Sequence, residues 1–247
     1  YLALPQAYIN HLPKTAQKAL KVGEELIKFS HLSNLDVEFG ISNDGICHLF
    51  QVRPLTGISS LPIAEEDFFD MINGAKDFIG SLEKPKANMF GKSSVFGSMP
   101  DWNPAEMIGD APQPLALSLY QTLIGDQTWA KARMEIGYLD LKNEALIYSI
   151  VGKPYVDVRA SLNSFLPLNI DQEVAEIWVD ACIENLKSNP HLHDKIEFEV
   201  AITCLSPDWD EHVIRMQNAG LSQNQILAFK TSLGSLTQSI VVGDYAT

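Results

Sequence analysis

The sequence predicts an α+β fold in which helices pack beside small antiparallel sheets. Two patterns lead there. Apolar residues recur at spacings of three and four over residues 13–29, 171–186 and 222–241, the helical signature. Alternation of apolar and polar residues, strict over 35–42 and 46–53, also marks 155–164 and 196–205 as strands. Turn formers such as Asn43-Asp44-Gly45 and Gly220 punctuate these runs.

Taken in order, the first helix runs from Pro13 to Phe29. Proline suits a first turn, and Ala16, Ala19, Leu20, Gly23, Leu26 and Ile27 form one stripe expected to be buried. Two alternating strands follow around Asp44-Gly45, a favoured type I′ pair for a two-residue hairpin loop. A short helix is expected within Glu65–Leu82. Residues 84–99, rich in Lys, Gly, Ser and Pro, read as a domain boundary. Leu115–Glu135 reads as a helix after Pro112 and Pro114. Asp171 is placed to cap the helix that runs to Leu186. Pro207–Asn218 and Ser222–Val241 read as the last two helices, with Gly220 ending one and Ser222 capping the other.

Composition narrows the functional classes. The 247 residues suffice for one large domain or two modest ones. Eighteen basic against 31 acidic residues give a formal charge of −13, which repels phosphate backbones and argues against nucleic-acid binding. Nucleotides stay within reach, because a metal ion and a few local cations hold a triphosphate inside an acidic protein. No apolar run approaches a membrane span, and the first residues lack the pattern of a secretory signal. Cys47, Cys182 and Cys204 are odd in number and far apart, so the expectation is structural thiols in a reducing cytoplasm. His191-x-His193 reads as a surface loop.

The hairpin carries the chemistry. With Asp44-Gly45 as the loop, Ile41 faces His48, Phe39 faces Phe50, Glu38 faces Gln51, Val37 faces Val52 and Asp36 faces Arg53. Directly paired residues share a face. One face is therefore Val37, Phe39, Ile41, His48, Phe50 and Val52, and the other holds Asp36, Glu38, Gln51 and Arg53. Carboxylate and amide oxygens are hard ligands suited to Mg²⁺, and a guanidinium offers phosphate a bidentate fork. The bland counterpart is a solvated face with a surface ion pair of little value.

Residues Leu35-Asp-Val-Glu-Phe-Gly-Ile-Ser42, then Gly45, then Leu49-Phe-Gln-Val-Arg-Pro-Leu-Thr56 resemble the end of the ATP-binding domain of the phosphoenolpyruvate synthase and pyruvate phosphate dikinase family. That domain is of the ATP-grasp type. The family has an Asp-Ile-Glu strand, a short turn around Gly and a Leu-Gln-x-Arg-Pro strand, with a helix just before. The resemblance covers residues 12–56. It implies Glu38 and Gln51 as metal or phosphate ligands and Arg53 as a phosphate clamp, with Asp36 beside them orienting Arg53. It also implies Mg²⁺ and ATP as cofactors and pyruvate or another small molecule as phosphoacceptor.

The same resemblance divides the chain. Residues 1–58 are expected to be the C-terminal piece of an ATP-grasp lobe, a helix plus a β-hairpin. Residues 59–98 are expected to be a linker, and 99–247 a mixed helix and antiparallel-strand domain of unknown role. The family's phosphate-binding lysine and arginine would precede Tyr1, and no Thr-x-Gly-Gly-x-x-x-His-like segment occurs. No catalytic residue is therefore assigned within this chain, which is expected to need the rest of an ATP-dependent phosphotransferase and to be inactive alone. Met99–Gly109, Pro112–Leu123 and Tyr155–Pro167 resemble segments of the same multidomain group. A drug-phosphorylating relative of the rifampin phosphotransferase kind is a variant of this reading.

On the expected strand 155–164, Tyr155, Asp157, Arg159, Ser161 and Asn163 would share one face, open either to an anionic substrate or to a structural use, satisfying neighbouring backbone or pairing with Glu197 and Glu199. The Trp102-Asn103-Pro104 turn reads as packing. The rival reading, from another class, is a non-catalytic binding or scaffolding module.

Overall fold

The computed structural model describes residues 6–32, 35–54, 65–98, 100–101, 104–141, 143–195 and 207–243. The architecture is α+β, with helices and small antiparallel sheets. Two compact units divide between Gly74 and Ala75. The expected strand 196–205, Cys204, Trp102 and Asn103 lie outside the described residues.

In the first unit, α1 (Gln6–Ile9) and α2 (Lys14–Ser30) precede the hairpin β1 (Leu35–Ile41) and β2 (Cys47–Pro54). Pro13 stands just before the first turn of α2, and His31 ends it in the left-handed conformation with its N–H on the Ile27 carbonyl. The apolar stripe of α2 is only half covered, contrary to the expected burial, and none of its residues is buried. Leu12, Ala16, Leu20, Gly23 and Ile27 instead line, with Phe39, a groove of about 640 Å³. Tyr8 packs edge-on against Phe68, which lies on α3 (Glu65–Leu82), with ring centres 5.2 Å apart.

The hairpin loop differs from the expected two-residue type I′ turn. Only Gly45 takes positive φ, at 81°, while Asp44 does not. Gly45 N–H bonds the Ser42 carbonyl at 2.8 Å, and Ser42 N–H bonds the Ile46 carbonyl at 2.9 Å. Asn43-Asp44-Gly45 is thus a three-residue loop with glycine in the left-handed place. The Asp44 carboxylate accepts from the Ser42 hydroxyl and from Ile46 N–H, which holds its pKa below the ordinary value. This local acceptor favours the longer loop.

In the second unit, β3 (Phe96–Gly97), β5 (Lys153–Asp157) and β4 (Ile147–Ile150) form an antiparallel sheet in the order β3-β5-β4. Helices α4 (Pro104–Ile108), α5 (Pro114–Tyr120) and α6 (Thr128–Glu135) come between β3 and β4. The expected single helix 115–135 is interrupted by a π-helical turn at Gln121–Gly125. A sheet contact accounts for the break: the Gly125 carbonyl accepts from Leu146 N–H at 2.9 Å, and a Cβ on Gly125 would stand 3.2 Å from Ile147.

Helices α7 (Val158–Ser164), α8 (Gln172–Ser188), α9 (Trp209–Asn218) and α10 (Gln223–Val242) enclose the larger core around Trp178, Cys182, Trp209, Met216 and Phe229. Asp171 caps α8 by accepting from Val174 N–H. Ser222 and Gln225 make a reciprocal capping box on α10. Both caps agree with the sequence. Among the described residues no helix is long and apolar enough to cross a membrane.

Residues 84–98, expected within a linker, belong to the second unit, and the division falls ten residues earlier, inside α3. They lie along α7 and α8, fastened by side chains. Asn163 bonds both the N–H and the carbonyl of Phe90, Glu176 accepts from Gly91 N–H, and Asp180 accepts from Lys92 N–H. Gly91 has φ 92°, and a Cβ there would meet Val179 Cγ1 at 2.6 Å. Gly91→Ala should therefore lower stability by more than about 1 kcal/mol, read as a fall in the urea midpoint. Ser222→Ala should cost about 1 kcal/mol through the lost cap.

Candidate functional site

The charged hairpin face forms by two compensating irregularities. The three-residue loop pairs Ile41 with Cys47, Gly40 with His48 and Phe39 with Leu49, one position from the expected register. A β-bulge then absorbs Phe50, and Glu38 meets Gln51, Val37 meets Val52 and Asp36 meets Arg53. The predicted juxtaposition of Asp36, Glu38, Gln51 and Arg53 is thus present. The predicted apolar face changes: Cys47 and Leu49 join Val37, Phe39, Ile41 and Val52, while His48 and Phe50 leave it. A Cβ on Gly40 would lie 3.0 Å from Phe50 Cζ, so the Phe50 ring covers Gly40 on the charged side.

Arg53 Nη2 donates to Asp36 Oδ2 at 2.8 Å and to Glu38 Oε1 at 3.3 Å. All three side chains are about half exposed, so each pair stabilises the hairpin by about 0–1 kcal/mol. Both contacts use one nitrogen, which leaves Arg53 Nε and Nη1 without hydrogen bonds among the described residues. Gln51, opposite Glu38, is exposed. Among the described residues no trio of His, Cys, Asp or Glu is arranged to hold a metal ion. Glu38 and Gln51, opposite each other, would offer Mg²⁺ two hard oxygens, with waters or phosphates filling its remaining positions.

The second unit's polar stripe takes a different form from that expected. The strand ends at Asp157, and 158–164 is helical. Val158 and Leu162 enter the core together with Leu166 and Ile170, so the alternating run also carries a spacing of four. Asp157 caps this helix, its Oδ1 accepting from Ala160 N–H at 3.2 Å and from the Ser94 hydroxyl. Arg159 donates to the carbonyls of Leu82, Lys84 and Gly91 at 2.9, 3.0 and 3.3 Å. The Ser161 hydroxyl donates to Asp101, which also pairs bidentately with Arg133, and the Arg133 guanidinium lies 3.9 Å over the Phe165 ring. Asp157, Arg159, Ser161 and Asn163 are completely buried. The hydrogen bonds they make all go to the chain itself, which supports the structural alternative for this stripe.

No family model, curated protein or solved structure matches the chain. The functional reading therefore rests on its own residues.

Sequence reasoning missed two groups. One is the Phe50–His48–Gly40 edge of the charged face, whose signal was the Asp44 acceptor and Gly45 closing a loop of three. The other is the lysine beside Asp157. Lys86 Nζ donates to Glu144 Oε2 at 2.9 Å and to Tyr148 Oη at 3.1 Å, and it stands 4.0 Å from Asp157 Oδ2. Burial works to lower the Lys86 pKa, but the bonds to Glu144 and Tyr148 outweigh it and the pKa is raised. No sequence pattern joins position 86 to positions 144–157.

Burial pushes the Asp157 carboxyl above its ordinary 3.8, against the opposing effects of Ser94, Arg159 and Lys86. Its Oδ2 has no hydrogen-bond partner. Below pH 3.8 the carboxyl is protonated both folded and unfolded, and it places no penalty on the fold. As pH rises past that value the unfolded chain ionises first. The contribution to stability then falls until the folded carboxyl also ionises. Asp157→Asn, which retains a capping oxygen, should remove this part of the pH dependence in urea titrations at stepped pH.

Proposed function

We propose that the charged hairpin face binds the phosphates of a Mg²⁺-bound nucleotide, within an ATP-dependent phosphotransferase. The observation that carries the reading is the meeting of Glu38, Gln51, Asp36 and Arg53 on one sheet face, with Arg53 bonded to both carboxylates. In the free protein both carboxylates accept from Arg53 Nη2. Two carboxylates against one guanidinium leave the four-residue set one charge negative, so phosphate alone is poorly received. A divalent cation shared by Glu38 and Gln51 reverses that balance. Arg53 then offers phosphate its unengaged nitrogens and keeps Asp36 as its orienting partner.

Phosphoryl transfer depends mainly on positioning and electrostatic stabilisation. This face supplies a cation site and a guanidinium side by side, and both would act on charge that spreads over the transferred group. In this reading pyruvate or another small acceptor and a phosphohistidine carrier belong to the wider enzyme. The resemblance of residues 12–56 to the phosphoenolpyruvate synthase family supports this reading and favours ATP over other anions.

A second reading has its own observation. The α2 stripe and the apolar hairpin face are left half covered around a groove, which suits a binding or scaffolding role without nucleotide. Calorimetric titration of the full-length protein with Mg-ATP separates the two. Arg53→Ala and Glu38→Ala should each weaken binding by at least about tenfold, the loss expected for a charge-assisted contact. Omitting Mg²⁺ should weaken the wild type similarly and change Glu38→Ala less. Unaltered affinity in both variants supports the scaffold.

A further inference from the structure

The bulge leaves an aromatic ring where an all-polar surface was expected. Phe50 lies on the charged side of the hairpin, with its tip over Gly40 and the residue 70% exposed. Gly40 is the one position on this stretch of β1 that gives the face no side chain, so the ring lies low against the sheet. Next along the face come the Glu38–Gln51 pair and then Asp36–Arg53. Gly40 and Asp36 are four residues apart on an extended strand, about 13 Å, the scale of one nucleotide. The order along the strand is thus aromatic ring, hard oxygens, guanidinium.

Deepening the phosphate reading above, on which it rests, we propose that this face takes a nucleobase as well as phosphates, with Phe50 as the stacking platform. The ring supplies a π-face that any base can stack on. Charge alone does not distinguish ATP from inorganic polyphosphate, and the ring does. His48, opposite Gly40 on the same face, borders the platform. The ring has a structural duty as well, since an aromatic side chain over a glycine protects a strand at its weakest point. The test must therefore keep an apolar cover on Gly40.

The experiment compares Kd values for Mg-ATP and for Mg-tripolyphosphate, measured calorimetrically on the full-length protein and on Phe50→Leu, Phe50→Trp and Arg53→Ala, with circular dichroism checking that each is folded. Phe50→Leu retains an apolar cover and removes only the π-face. It should weaken Mg-ATP about tenfold and leave Mg-tripolyphosphate unchanged. Phe50→Trp should hold Mg-ATP at least as tightly as wild type, and Arg53→Ala should weaken both probes. If Phe50→Leu leaves Mg-ATP unchanged while Arg53→Ala weakens both, stacking is overturned and the phosphate reading stands. An equal loss of both probes in Phe50→Leu also overturns stacking, because the change then acts through the hairpin backbone. If the wild type binds neither probe, or Arg53→Ala alters neither, the phosphate reading fails and the platform with it.

Discussion

Strand register is the constraint on which the charged face depends. Side chains alternate across a sheet, so a one-residue slip sends a whole set to the opposite side. The loop Asn43-Asp44-Gly45 imposes such a slip, and the bulge at Phe50 reverses it before the carboxylates are reached. Without the bulge, Glu38 would face Phe50, and Gln51 and Arg53 would lie among Val37 and Leu35. The bulge keeps Val52 with Val37 on the apolar side and sends Phe50 to the charged one. The grouping of polar atoms follows from it.

The second unit reaches order by another route. Residues 84–95 carry no regular ladder, so their main-chain groups need other partners. Side chains of α7 and α8 supply them: the buried Arg159 and Asn163, and Glu176 and Asp180 nearer the surface. Both terminal nitrogens of the buried Arg159 guanidinium donate to carbonyl oxygens, and one buried carboxylate caps a helix while holding Ser94. Such a network costs desolvation and returns specificity of shape.

Much of this was legible in the sequence because it is local. Caps at Asp171 and Ser222, the helices they begin, and the two hairpin strands are each encoded within a few residues. The Asp36–Arg53 pairing is legible although the loop is one residue longer than the sequence suggests, because the apolar pattern of Val37 and Val52 constrains the same register. What escaped was non-local or ambiguous. Residues 155–164 satisfy periods of two and of four at once, and only the capping contact of Asp157 to Ala160 resolves them into strand and then helix. The break at Gln121–Gly125 answers to β4, more than twenty residues on. The burial of the α2 stripe failed for another reason: an amphipathic pattern shows which side is apolar, not what covers it.

The two compensating irregularities bear on how this hairpin should be matched to others. A hairpin of equal length with a two-residue turn and a regular ladder would superpose on the Asp36–Arg53 end without displacement, yet differ by one position throughout the tip. Aligned by letters, the two would show no gap, and the residue opposite Phe39 in the regular hairpin would be equated with Phe50. Superposed by backbone, Phe50 would stand as the unmatched insertion. Chain length in the bend and the curl of the second strand are therefore a single inherited character, to be gained or lost together.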